Sequence, residues 1–169
     1  MSVVSDPGPL IALGVLAVFP VVFAVFWSVV CTVLGLASGW QGLAGRFRAP
    51  GPAPRPVATA HFIYGMLGLV AYRGVLNLDG SAAGLGLSVM VLFRPGHPPL
   101  RVPWAQVEAL PTEKALLRGL LQPLRLGGPR GPVLRVPRGA WDAVVRARPA
   151  AGEEGGVAGE TLVSPAPNP

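Results

Sequence analysis

Residues 10–36 read LIALGVLAVFPVVFAVFWSVVCTVLGL, and this segment decides the architecture of the chain. It contains no charged residue, and 17 of its 27 residues are Leu, Ile, Val or Phe, which together favour bilayer insertion by about −5 to −10 kcal/mol. A helix of this length measures ~40 Å, enough to cross a ~30 Å hydrocarbon core with some tilt. Pro20 is expected to kink the helix without ending it. We therefore predict one transmembrane helix over residues 10–36, preceded by a short tail of residues 1–9.

A cleaved signal peptide is the alternative interpretation of this segment. A signal peptide needs a basic n-region and an apolar core of about 7–15 residues. Residues 1–9 carry Asp6 as their only charged side chain, and the apolar segment is nearly twice as long as the longest apolar core of a signal peptide. Cys31 lacks the small residues of a lipoprotein cleavage site before it. A retained anchor is the better prediction.

The composition of the chain supports a membrane protein with little helix outside the anchor. Hydrophobic residues make up 51% of the chain and charged residues 13%, where a soluble domain has about 25% charged residues. The mean hydropathy is +0.52, so a wholly soluble protein is not expected. Glycine (23) and proline (20) are frequent enough to disfavour further long helices. The single cysteine excludes an intramolecular disulfide and a cysteine-cluster metal site.

Basic residues follow the apolar segment and do not precede it. Arg46, Arg48 and Arg55 lie within about 20 residues of its end, whereas the N-terminal tail has no basic side chain. The positive-inside rule then places the C-terminal part of the chain in the cytoplasm. We predict a single-pass protein of the inner (plasma) membrane.

Residues 37–56 are predicted to be a juxtamembrane segment and linker. Trp40 is expected at the depth of an interfacial aromatic residue, and its spacing with Leu43 and Phe47 predicts an amphipathic turn or two along the membrane surface. Residues 49–56 read APGPAPRP, so no helix should cross them.

Residues 57–148 carry the pattern of a β-rich domain. Residues 57–72 contain no charge and allow a second membrane span, but they are short and mixed in period, so buried strands are preferred. Asp79-Gly80 predicts a turn, and residues 127–132 (GGPRGP) predict a hairpin loop. Further strand-like runs lie at residues 73–78, 84–94, 100–104, 116–126 and 133–136.

A helix is predicted over residues 138–148, where Trp141, Val144 and Val145 form one apolar face. The sequence LRVP occurs at residues 100–103 and again at 134–137, each time with a tryptophan within four residues. We expect Trp104 and Trp141 to be structural residues, both buried and close together if the helix closes the domain. Residues 149–169 are acidic and poor in apolar residues, and we predict a disordered tail.

Several strands followed by one helix give a layout similar to that of pleckstrin-homology (PH) and GRAM modules, as a barrel or a sandwich. The run FRPGHPPLRVPW at residues 93–104 resembles a group of small membrane-anchored bacterial proteins, and the resemblance covers roughly residues 38–110. It implies strands rather than a second span at residues 57–72. It implies no activity, because that group has no assigned one.

Few residues of the chain suggest a catalytic or metal-binding site. His61 and His97 are the only histidines, and neither has a carboxylate or cysteine at metal-ligand spacing. His97 is interpreted as a turn residue whose imidazole caps the local backbone. No Ser-His-Asp set and no nucleotide-binding motif can be assigned. We predict no catalytic residue, no metal and no cofactor, and the alternative is a membrane-bound enzyme with a site around His97.

Positive charge is the remaining feature. Residues 37–148 contain all 14 Lys and Arg and only four acidic residues, a net charge of +10. Such a surface favours contact with anionic lipid head groups, although codon bias and the positive-inside rule explain it equally well. Nucleic acid is not expected, since few aromatic residues are interleaved with basic ones as Phe93 is beside Arg94. We predict a non-enzymatic binding or scaffolding module on the cytoplasmic face of the membrane, with the bilayer, anionic lipids or another membrane protein as partners.

Overall fold

A computed structural model describes residues 8–49, 56–115 and 119–149. Its helices are α1 (Gly8–Ala37), α2 (Trp40–Phe47) and α3 (Arg138–Val145). Its strands are β1 (Ala58–Leu67), β2 (Val70–Ser81), β3 (Gly84–Val89), β4 (Leu100–Val102), β5 (Val107–Ala109), β6 (Glu113–Ala115), β7 (Gly119–Leu126) and β8 (Val133–Pro137). The predicted tail from residue 150 and the linker residues 50–55, with Arg55, lie outside the described residues.

The first helix is the expected apolar segment. It has 30 residues and runs on through Pro20. Among the described residues, one helical stretch, Leu13–Ala37, is long and apolar enough to cross a membrane by length and composition. The helix ends before Gly39, whose φ of 82° lies in the left-handed region that glycine adopts readily.

The second helix packs on the β-rich module. Trp40, Leu43 and Ala44 are buried and belong to the same hydrophobic core as the strands. The predicted amphipathic turns therefore form as α2, but protein and not the membrane surface covers their apolar face. The core of the module begins at α2, upstream of residue 57, where the sequence placed the start of the β-rich domain.

All eight strands form one antiparallel sheet that is nearly closed into a barrel. The strand order is β4-β3-β2-β1-β8-β7-β5, and β6 pairs with β7. The two outermost strands, β4 and β5, are joined by the 3₁₀ turn Trp104–Gln106, so the connection brings the two open edges towards each other. Near-closure protects edge strands from pairing with another chain.

The interior of this barrel-like sheet follows from the alternation along its strands. In β2 and β3 every second residue points inward, because side chains alternate between the two faces of a strand. The inward residues are mostly leucines, each at most 2% exposed, and they include Leu76, Leu78, Leu85, Leu87, Leu100, Leu124, Leu126 and Leu134. Between the leucines of β2 and β3, the outward positions are occupied by Asn77, Asp79, Gly86 and Ser88.

The structure confirms the strands predicted over residues 57–72, so these residues do not form a second membrane-spanning helix. They form β1 and the start of β2, which turn at residues 68–69. The predicted turn at Asp79-Gly80 is wrong, because both residues pair in the sheet with β1 and β3. The run 84–94 is a strand only as far as Val89, after which the 3₁₀ turn Val91–Phe93 follows.

The C-terminal half agrees with the sequence analysis. Residues 127–132 connect β7 to β8, and α3 begins at Arg138 as predicted. The two LRVP segments end alike, since Pro103 (φ −54°, ψ 143°) and Pro137 (φ −56°, ψ 136°) each stop a strand and start a helical turn. Trp104 and Trp141 are both buried, and their rings meet edge to face at 6.4 Å. The short strands β5 and β6 were not predicted.

Candidate functional site

The C-terminal half of α1 is fastened to residues 91–98 of the module. The indole Nε1 of Trp27 donates a hydrogen bond to the carbonyl oxygen of Leu92 (2.8 Å), and its ring meets Phe93 edge to face at 5.3 Å. Two turns further along, the backbones come into close contact at Gly35 and Gly96. A Cβ atom on Gly35 would overlap the carbonyl oxygen of Gly96, so only glycine allows this approach.

An aromatic cluster lies directly behind this contact. Trp40, Tyr72 and His97 pack together with ring centroids 5.2–5.9 Å apart. The indole Nε1 of Trp40 donates to the carbonyl oxygen of Pro98 (2.9 Å). The three rings are buried, and they hold the segment around residue 97 between α2 and β2.

His97 has a partner at each ring nitrogen. Its Nδ1 lies 3.2 Å from the carbonyl oxygen of Pro95, and its Nε2 lies 2.9 Å from the Tyr72 hydroxyl. Because a carbonyl can only accept, Nδ1 carries the proton, and the Tyr72 hydroxyl donates to Nε2. This agrees with the interpretation of His97 as a turn residue that caps local backbone. Burial lowers the pKa of His97 and raises the pKa of Tyr72, so both groups are neutral at pH 7.

Acidification is expected to weaken this cluster. The folded pKa of His97 lies below its ordinary value of about 6.5, so the unfolded chain takes up the proton first. Neutral His97 therefore makes its full contribution to the free energy of unfolding above about pH 6.5. This contribution is lost as the pH falls below that value, with a slope of at most about 1.4 kcal/mol per pH unit. Unfolding of the detergent-solubilised chain at pH 7.5 and 5.0 measures the loss. His97→Gln should show a smaller difference between the two pH values, and an equal difference would contradict this origin.

A separate polar groove lies on the outer face of β1–β4. Thr59 pairs with Asp79, Asp79 with Gly86, and Gly86 with Arg101, so these residues form one row across four strands. Gly86 has no side chain, and a Cβ atom there would overlap the Asp79 carboxylate. The carboxylate therefore lies over the glycine, on the side of Arg101.

The groove has a volume of about 140 Å³. Asn77 and Ser88, paired across β2 and β3, form the next row of its wall, with His61 and Arg94 also lining it. The Oδ2 atom of Asp79 and the Nε atom of Arg101 are buried without a hydrogen-bond partner. Burial raises the pKa of Asp79, although the charges of Arg101 and His61 oppose the shift. Buried polar atoms that lack a hydrogen-bond partner are unfavourable for folding, even where opposite charges lie close together.

Removing the Asp79 charge is expected to stabilise the fold. Because the folded pKa lies above 3.8, stability contributed by the protonated form is lost as the pH rises through that raised pKa. Asp79→Asn should raise the free energy of unfolding at pH 7, and with it the melting temperature, by less than about 1 kcal/mol of free energy, since the carboxylate is partly solvated. The gain should vanish near pH 3. Glu108→Gln, which removes an exposed ion pair with Arg125 (2.9 Å), is the matched control and should give no gain.

The predicted membrane-flanking residues have different positions. Trp40 is 0% exposed, so it is a core residue and cannot be the expected interfacial aromatic. Arg46 lies over the ring of Phe47 at 4.9 Å and donates to the carbonyl oxygen of Gly127 (2.9 Å). Arg48 is exposed and pairs through its backbone with Leu100.

The sequence analysis assigned no site role to Trp27, Tyr72, Asp79 or Arg101, and it placed Asp79 in a turn. The alternation in β2 and β3 could have placed Asn77, Asp79 and Ser88 on one polar face, because leucines occupy the positions between them. It could not have found Arg101, which reaches the same row through the pairing of β4 with β3.

The fold and its two sites define a class of protein: an apolar N-terminal helix docked on a nearly closed antiparallel β-barrel-like sheet with a C-terminal helix. No family model, curated protein or solved structure gave a significant match to the chain.

Proposed function

We propose that this protein is a membrane-tethered, non-enzymatic binding or scaffolding module with a PH/GRAM-like fold, on the cytoplasmic face of the inner membrane. The observation that carries the proposal is the groove, where Asp79 and Arg101 keep buried, unpaired polar atoms on a module fixed to an apolar helix. Buried polar groups without partners are concentrated at functional sites, where a ligand can pair with them.

The tether is supported by the surface of α1. Its large apolar side chains from Leu13 to Phe26 are about 50–70% exposed, and a bilayer is the solvent that fits them. The basic residues Arg46 and Arg48 follow on the module side, in agreement with a cytoplasmic module. Because α1 is docked on residues 91–98, the module has a fixed orientation to the membrane and does not swing on a flexible linker.

The groove can bind a small charged group of a larger partner. Arg101 and Arg94 offer positive charge, while Asp79 and Asn77 offer acceptors. The complementary ligand carries an anionic group next to a hydrogen-bond donor. A volume of about 140 Å³ is below that of a typical small-molecule site, about 300–1,000 Å³, so a side chain or a head group fits better than a complete metabolite.

Photocrosslinking in cells tests binding at the groove. A photoreactive residue at Thr59, which is exposed at the groove, should form a discrete crosslinked product, and Arg101→Gln should reduce it. The same residue at Lys114, exposed on β6, is the matched control and should give no such product. Equal crosslinking at both positions, or none at Thr59, would contradict a binding site in the groove.

Fusions made after residue 150 test the orientation. We expect a cytoplasmic reporter enzyme to be active and a periplasmic reporter to be inactive. Activity of the periplasmic reporter alone would instead make the module an exported domain.

The alternative is a membrane-bound enzyme that uses His97. The position of this residue favours a structural role, since it is 2% exposed and both ring nitrogens have neutral partners. Acylation by diethyl pyrocarbonate separates the two proposals, because a catalytic histidine must be reachable. His61, which is exposed, should react quickly and His97 slowly. Rapid modification of His97 in the folded chain would favour the enzyme.

A further inference from the structure

The contact between α1 and residues 91–93 fixes the depth of the module in the membrane. Trp27 is nine residues before Leu36, the end of the span predicted from the sequence, which is about 14 Å at 1.5 Å per residue. A span reaching Leu36 would therefore place the 3₁₀ turn Val91–Phe93 about 14 Å inside the hydrocarbon. The exposed guanidinium of Arg94, the next residue, would then also lie within or close to it.

The helix before Trp27 is long enough to span the membrane without the docked part. Gly8 to Phe26 make 19 residues, or about 28 Å, close to the ~30 Å of a hydrocarbon core. A boundary near Trp27 places this indole and Arg94 at the level of the head groups, where tryptophan and arginine are favoured.

The 3₁₀ turn itself has the surface of a membrane-inserting loop. Val91 is 70% exposed and Leu92 is 57% exposed, although both are large apolar side chains. They lie beside the exposed apolar surface of α1, to which Phe93 and Trp27 connect them. The apolar surface of the helix is thus continuous with that of the turn.

We propose that the turn Val91–Phe93 inserts into the bilayer interface beside α1, with the membrane boundary at Trp27 and lipid acyl chains as the partner of Val91 and Leu92. This inference rests on the proposed membrane tether and corrects the span of residues 10–36 to one ending near Phe26. The module then touches the bilayer at two points, the helix and the turn, which restricts its rotation about the helix axis.

The exposed apolar residues in the two turns after Trp27 are compatible with this boundary, while Leu36, which is 62% exposed, lies beyond it as a single exposed apolar residue. Val29 and Val33 are each 56% exposed. A helix ~10 Å wide, tilted by 20–40°, leaves the hydrocarbon roughly 4–8 Å later on one side than on the other. This offset is about three to five residues, so the late-emerging face keeps Val29 in lipid and brings Val33 to the interface.

Environment-sensitive labels test the turn in the full chain. Cys31 is replaced by Ala, and single cysteines are introduced as Leu92→Cys, Val91→Cys and, as the matched control, Leu120→Cys. Leu120 is 56% exposed and lies on β7, so its apolar exposure equals that of Leu92. Each variant is labelled with a nitrobenzoxadiazole fluorophore and reconstituted into vesicles of phosphatidylglycerol and phosphatidylethanolamine, whose two faces both present lipid to the turn.

Labels at positions 91 and 92 should have blue-shifted emission and be quenched severalfold by lipids with a nitroxide high on the acyl chain. The label at position 120 should show neither effect. If the protein floats with the vesicles and the labels at 91 and 92 behave like that at 120, the inserted turn is overturned and the tether stands. If the protein does not float with the vesicles, both the tether and the inserted turn are overturned.

Discussion

Replacing Trp141 or Trp104 with alanine is expected to lower the free energy of unfolding by about 3–5 kcal/mol. Both indoles are buried and meet each other where α3 closes the module, and Nε1 of Trp104 donates to the carbonyl oxygen of Ser81 (2.8 Å). The loss is a large part of the stability of a small domain. Thermal or urea unfolding of the detergent-solubilised full chain measures it.

Two controls define the cause of this loss. Arg135→Ala removes a half-exposed ion pair with Glu113 (3.0 Å) and should lower stability by no more than about 1 kcal/mol. Trp104→Phe keeps an aromatic ring but removes the indole donor, so its loss of stability should lie between those of Trp104→Ala and Arg135→Ala. If Trp141→Ala unfolds like the wild type while Arg135→Ala is strongly destabilised, α3 does not close the module.

The parts of the fold that the sequence predicted are those with local causes. The long apolar helix α1 depends on the composition of one continuous segment, and Pro137 with the apolar positions of residues 141–145 marks the start and the buried face of α3. The repeated LRVP segments also carry local information, since each proline ends a strand and starts a helical turn. The meeting of Trp104 and Trp141 was expected from the packing of the terminal helix over the end of the sheet, and the two rings do meet there.

The errors arose where distant residues decide the structure. Trp40 has the spacing of an interfacial residue, but Tyr72 and His97 provide a protein environment for its ring. Asp79-Gly80 is a turn dipeptide by composition, yet pairing with β1 and β3 keeps it extended. Strands of three residues, such as β5 and β6, have too few positions for a period to be recognised.

The run of residues 93–104 connects the two sites. Its first part contacts the helices through Phe93, Gly96 and the carbonyl oxygen of Pro98. Arg94 and Arg101, from its two halves, line the groove. A ligand in the groove and the docked helix therefore share one continuous segment, and a displacement of that segment would affect both.

Replacing Trp40 with alanine is expected to be as destabilising as the loss of Trp141, about 3–5 kcal/mol, and in addition to release α1 from the module. The variant loses the ring contacts to Tyr72 and His97 and leaves the carbonyl oxygen of Pro98 without its donor.

The rate at which Cys31 reacts with maleimide measures this release. Cys31 is the only cysteine, is 1% exposed and lies where α1 meets Gly96. Under conditions where the chain remains folded, maleimide should label it at least about tenfold faster in Trp40→Ala, because a 1.4 kcal/mol change in the opening equilibrium already gives that factor. Trp141→Ala, of similar stability, is the matched control and should leave Cys31 protected, since its ring packs at the α3 end of the module. Equal labelling in the two variants would mean that Trp40 stabilises the module as a whole and does not specifically hold the helix.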